Sequence, residues 1–150
     1  MTLRPLEVAD AAALFALVDE NRAYLRQWLP WLDKNTTVAD TLAFIALMGH
    51  QRSEGSASVF CVVSDGILVG LCGFNRIDWE NRYANIGYWI AERSSGRGLA
   101  VTACRRLESL GFDEMGLNKL QIHVAEGNLK SRRVAEKLGF VATGTLRDAE

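Results

Sequence analysis

The nine residues ERSSGRGLA, Glu92 to Ala100, combine bare backbone with a cation. Gly96 and Gly98 flank Arg97, directly after the apolar run IGYWIA and before LAVTACRRLESLGF, whose apolar spacing is helical. A helix N-terminus leaves four backbone N–H groups unpaired and carries partial positive charge. Glycines ahead of it let a ligand approach the backbone without meeting a Cβ and let φ turn positive. Successive N–H groups then form a nest for an anion, typically a phosphate, and Arg97 can add a forked charge-assisted contact. Each dipole interaction contributes only ~0.3–1 kcal/mol when exposed, so a tight site must sum several N–H bonds. The common nucleotide motifs do not fit. Leu99 and Ala100 stand where a Walker loop needs Lys-Ser/Thr, and Val101 stands where a dinucleotide fingerprint needs its third glycine. On the glycines alone, an ordinary strand-to-helix turn explains the stretch equally well.

The elements that must position this turn follow from periodicity. TLRPL predicts a short first strand, and VADAAALFALVDENRAYLRQWL a helix with Asp10 as N-cap. VADTLAFIALMGHQRSEG predicts a second helix, with Leu42, Ile45 and Gly49 on one side and a stop near Gly55. SVFCVVS and ILVGLCGFNRID, joined by Asp65-Gly66, predict a hairpin. RYANIGYWIA predicts the next strand, in which Gly87 marks a bulge or a close backbone approach. Leu99, Ala103, Leu107 and Leu110 mark one face of the helix after the glycine turn. KLQIHVA then predicts a buried strand. NLKSRRVAEKLGF predicts a short helix capped by Asn128 and closed at Gly139, and VATGTLRDAE begins another strand. The order, a strand, helices, a β-meander and then alternating helix and strand, implies an α+β (mixed α/β) class around one sheet in a single domain, 1–150.

Composition narrows the function classes. A net charge of −1 without runs of one sign speaks against a broad nucleic-acid-binding face. No apolar run reaches ~18 residues, and the N-terminus has no signal-peptide core. The chain reads as a soluble cytoplasmic protein. Cys61, Cys72 and Cys104 lack CxxC spacing and sit in apolar segments, as buried core thiols in a reducing compartment do. His50 and His123 have no second ligand at useful spacing, so no metal site is expected.

Arg93-x-x-Gly96-x-Gly98, between a strand and a helix, resembles the Q/R-x-x-G-x-G/A signature of the GCN5-related N-acetyltransferases. NLKSRRVAEKLGF resembles that family's second helix, with Asn128, Ser131, Lys137, Gly139 and Phe140 on pattern positions. NRAYLRQWLPWL and FNRIDWENRYANIGYWIAE resemble the ribosomal-protein-serine (RimJ/RimL-like) branch, whose members modify protein N-terminal amines. The resemblance spans essentially the whole chain. It implies a mostly antiparallel twisted sheet flanked by helices, with a splayed strand pair forming the cofactor cleft. The family's sixth strand would reach Glu150, and its last strand would be missing.

The resemblance also implies acetyl-coenzyme A as cosubstrate, no metal, and direct attack by an amine in a ternary complex. The cofactor set it implies is Tyr88, Trp89, Ile90, Ala91, Arg93, Ser95, Gly96, Arg97, Gly98, Leu99, Ala100, Asn128, Ser131 and Lys137. Within it, an N–H near Ile90 or Ala91 would meet the thioester oxygen, and Lys137 together with Arg132 would meet phosphates. Ser131 would serve the leaving thiolate. Glu150, at the place of the branch's sixth-strand glutamate, would be the base, with Glu92 as the alternative. Trp28, Trp31, Asn75 and Arg76 would wall the acceptor side. The tryptophans equally suit a satellite core. The acceptor would be a protein N-terminus, with a polyamine or an amino-acid-like amine as runner-up, and neither nucleic acid nor membrane is expected as a partner. A non-catalytic acyl-CoA sensor is the rival reading. A homodimer is compatible with the sequence but not read from it.

Overall fold

The computed structural model describes residues 1–26, 29–123 and 128–141, with only the backbone at Pro30 and Trp31. A five-stranded sheet runs in the order β1 (Thr2–Pro5), β2 (Ser58–Ser64), β3 (Ile67–Asp78), β4 (Tyr83–Ile90), β5 (Lys119–Ile122). The first three pairings are antiparallel, and β4 pairs with β5 in parallel. All five strands fall on predicted segments. The strand predicted from VATGTLRDAE, with its end at Glu150, lies outside the described residues.

Two apolar layers cover the two faces of the sheet. On one, α1 (Ala11–Glu20) and α3 (Val38–Glu54) bury Leu14, Val18 and Ile45 against Cys61, Leu71 and Trp89. On the other, α4 (Leu99–Ser109) buries Ala103, Cys104 and Leu107 on Phe74, Ile86 and Ile90, with Leu138 after α5 (Leu129–Lys137) closing that layer. Strand alternation explains the division, because Ile86 and Ile90 face α4 while Trp89 faces α1. No helix among the described residues is long and apolar enough to cross a membrane.

Three expectations about the helices are corrected. The first predicted helix breaks at Asn21 into α1 and a single turn, α2 (Arg22–Leu25). The Asn21 amide donates to Leu17 O at 2.7 Å, and its oxygen accepts from Glu92 N at 2.9 Å, so the helix end is tied to the end of β4. Asp10 makes no cap bond to α1. It pairs with Arg4 at 2.6 Å and accepts from Glu7 N at 2.8 Å, and the guanidinium holds its carboxyl below the usual carboxylate range. In α3 the inward stripe is Thr41, Phe44, Ile45 and Met48, a 3.6-residue repeat that leaves the expected Leu42 and Gly49 exposed. The predicted Asn128 cap is present, accepting from Ser131 N at 3.2 Å.

Candidate active site

The glycine turn is built by short-range bonds that stop where the glycines begin. Ser94 N donates to Ala91 O at 2.9 Å and Ser95 N to Glu92 O at 3.0 Å. Gly96 and Gly98 then take φ of 78° and 75°, a region costly for any residue with a Cβ. Helix α4 makes its first bond from Thr102 N to Gly98 O, at 3.0 Å. Among the described residues, the N–H groups from Gly96 to Val101 have no protein acceptor. The first turn of α4 carries no acidic side chain, and a Cβ placed on Gly96 or Gly98 would meet no atom within 4 Å. These amides therefore open onto free space at a positive helix end, as an anion nest requires.

The side chains of the motif do not join them. Arg97 reaches Ser64 Oγ at 3.4 Å and Asp65 at 3.6 Å on the hairpin, and Arg93 lies 3.7 Å from Glu20. Ser95 N–H is spent inside the turn. The cations lining the cleft come instead from α5: Lys130, Arg133 and Lys137. Arg132 is exposed and not among the lining residues. Sequence reasoning placed Arg132 rather than Arg133 because α5 has no buried residue of its own to fix its rotation.

Strand β4 supplies the second feature. Among the described residues it pairs with β5 only from Tyr83–Lys119 to Ile86–Ile122, and from Gly87 on it pairs with β3 alone. Ala91 N donates to Val69 O at 2.8 Å, so residues 87, 89 and 91 turn their peptide groups toward β3. Arg82 O, accepting from Asn118 N at 2.7 Å, sets the opposite parity toward β5. Tyr88 and Ile90 thus turn their N–H and C=O groups toward the β5 side, where no described residue pairs with them. Ala91 is excluded as the oxyanion donor, and Ile90 remains. The bulge expected at Gly87 lies instead on β3, between Phe74 and Arg76. Gly87 is a close approach, since a Cβ there would stand 2.5 Å from Asn75 Nδ2.

Glycine turn and strand gap open into one cleft of about 1480 Å³. Asn128, Ser131 and Lys137 line it from α5, with Ser95, Gly96, Gly98, Leu99 and Ala100 from the turn. Tyr88, whose backbone was expected here, also brings its phenol against α4 and α5. Burial pushes that phenol up to about 12, and a hydrogen bond with Ser131 opposes the shift. Two neutral hydroxyls therefore meet in the cleft. The sequence signal for this was faint, because Tyr88 sits in a run where an apolar reading sufficed. Trp89 lines the cleft from the α1 layer, and Glu92 lies at its rim, exposed.

The opposite half of the cleft is walled by Tyr24, Leu29, Phe44 and Met48. Arg22 braces this wall by donating to Leu32 O at 2.9 Å. Lys130 Nζ lies 3.2 Å from Tyr24 Oη and 5.1 Å from the ring centroid, joining α5 to α2. Asn75 lines this half, whereas Arg76 is exposed and does not. Trp28, the Trp31 side chain and Glu150 lie outside the described residues. Among the described residues no cluster of His, Cys, Asp or Glu could hold a metal ion.

The sequence profile of the acetyltransferase (GNAT) domain matches residues 1–141. The chain belongs to the GNAT acetyltransferase family. It is 37% identical over 150 residues to YdaF of Bacillus subtilis (strain 168), provisionally named a ribosomal N-acetyltransferase, covering 99% of this chain and 81% of that one. It is 34% identical over 148 residues to the spermidine N(1)-acetyltransferase of Vibrio cholerae serotype O1, covering 97% and 82%. Among solved structures, RimL, the ribosomal L7/L12 alpha-N-protein acetyltransferase in complex with coenzyme A, superposes with a TM-score of 0.92 at 26% identity, covering 95% of this chain and 80% of that one. This GNAT chain is an acetyl-CoA-dependent N-acetyltransferase with the mixed α+β fold of its family.

Proposed function

We propose that the acceptor is the N-terminal amine of a protein, of the ribosomal class that the names of YdaF and RimL indicate, acetylated in the cytoplasm. One observation carries this choice over a polyamine. Among the described residues lining the cleft, Glu92 is the lone carboxylate, against Lys130, Arg133 and Lys137. A polycation needs several carboxylates along its length, whereas a peptide needs room, an apolar wall and backbone partners.

The chemistry agrees with this choice. A free α-amine has a pKa of ~7.7–8.0, so roughly a third is neutral at pH 7.5, against about a thousandth of a lysine side chain. Little general-base work remains, and positioning supplies much of the rate. Bound acetyl-CoA supplies the activated acetyl carbonyl. The N–H groups from Gly96 to Val101 hold its pyrophosphate, with Arg133 and Lys137 toward the remaining phosphate charge. The backbone groups of Tyr88 and Ile90, unpaired among the described residues, would hold the amide-bearing arm, and the Ile90 N–H would steady the carbonyl oxygen. Ser131, backed by the protonated Tyr88 phenol, would donate a hydrogen bond to the departing sulfur, and the proton shed by the attacking nitrogen would pass to solvent or to the released thiolate.

Thiol release from acetyl-CoA, measured over peptides with different first residues, spermidine and free amino acids, tests the acceptor. The expected result is the highest kcat/KM with a peptide N-terminus. A preference for spermidine, as the name of the Vibrio relative suggests, would replace this reading with the polyamine one.

A further inference from the structure

Asn85 lines the cleft from β4, on the same face as Gly87 and Trp89. Its side-chain oxygen is shielded from solvent and has no hydrogen-bond partner among the described residues. A buried acceptor left unpaired opposes folding, so such a group calls for an explanation. The neighbouring geometry supplies one. The absent Cβ of Gly87 lets Asn75 lie across the strand beside it, and the bulge in β3 falls opposite Asn85. Two side-chain amides therefore floor the acceptor half, one with a free oxygen. The terminal torsion of asparagine is soft and broad, so a small turn brings that oxygen to the cleft surface.

Position specifies the ligand group. Asn85 stands five residues from Ile90, roughly 17 Å along the strand from the N–H assigned to the thioester carbonyl. An extended peptide covers that span in about five residues. We infer that Asn85 accepts a backbone N–H from near the fifth residue of the acceptor peptide, making it a reader of peptide length rather than of the reacting amine. The inference rests on the peptide-acceptor reading and adds a specificity residue to it.

The test compares a tripeptide amide, which has no fifth-position N–H, with a hexapeptide amide of the same first residue, together with a hexapeptide N-methylated at its fifth residue. In the wild type, KM should fall about fivefold to tenfold on lengthening, the worth of one hydrogen bond, and N-methylation should cancel the gain. Asn85→Leu should lose the gain while acetyl-CoA affinity, tripeptide turnover and melting temperature stay level or rise. Asn85→Asp, which keeps an acceptor oxygen, should retain it. Length dependence that survives in Asn85→Leu overturns the proposal, as does a melting temperature that falls in that variant, which marks Asn85 as structural. A wild type that acetylates no peptide removes the acceptor reading and this inference together, a result distinct from both.

Discussion

Replacing Gly96 by glutamate separates the anion nest from the fold that carries it. Gly96 has φ of 78°, where an L-residue costs ~1–2 kcal/mol. The new Cβ meets no atom within 4 Å, so no steric clash is added. A carboxylate at the free end of α4 returns ~0.3–1 kcal/mol through the helix dipole. The net loss is under ~2 kcal/mol, and at about 2–4 °C per kcal/mol the melting temperature should drop by less than ~8 °C. Cofactor binding should respond on another scale. Each N–H bond to a charged oxygen contributes ~1.5–3 kcal/mol, so losing two costs ~3–6 kcal/mol, roughly 10²–10⁴ in Kd. Titration calorimetry with CoA and a circular-dichroism melt measure both quantities. Gly96→Ala, which adds the strain without the charge, should lose affinity far less. A folded Gly96→Glu protein that binds CoA like the wild type would refute the reasoning.

Three further outcomes follow from the packing and the ionisable groups. Ser131→Ala and Tyr88→Phe should each lower kcat by about tenfold or more while leaving acetyl-CoA affinity within a few-fold, as steady-state kinetics with calorimetry can show. Equal losses in binding and turnover would mark either residue as structural. Burial raises the Cys61 and Cys104 thiols from 9.0 to about 12, raises Cys72 as well, and raises Tyr88 from 10.0 to about 12. A raised folded value means stability is intact below the unfolded pKa and lost as pH rises through the folded one. Denaturant midpoints should therefore fall from about pH 9 toward pH 12, and the native thiols should resist a disulfide reagent at pH 7.5. Arg4→Ala leaves the buried Asp10 carboxylate without its partner and should cost about 1–3 kcal/mol in urea unfolding. Because Arg4 lowers the Asp10 pKa, that contribution is present at neutral pH and fades as pH falls below the usual carboxylate range.

Much of the fold was legible because local signals agreed. Asp65-Gly66, with φ of 53° and 76°, imposes the tight hairpin that its residue types announce. The β-branched and aromatic runs before and after it became β2 and β3. The glycine turn was legible too, since only its backbone matters. Side-chain direction was not. Arg97 sits between two glycines, yet its guanidinium goes to Asp65, an acid far off in sequence. Asp10 looks like a cap but finds Arg4 across a turn. The break at Asn21 needs Glu92 N, which the sequence places 71 residues away. The parity of β4, which selects Ile90 over Ala91, is set by the Val69 carbonyl on β3 and by Asn118 ahead of β5. These are tertiary choices, and residue type alone leaves them open.

The central claim is that the backbone amides from Gly96 to Val101, with those of Tyr88 and Ile90, await the cofactor. Backbone amide NMR of the 15N-labelled protein during CoA titration reads them directly. The account predicts that these resonances move most and gain exchange protection at saturation. CoA binding that shifts other amides while these stay where they were would contradict it.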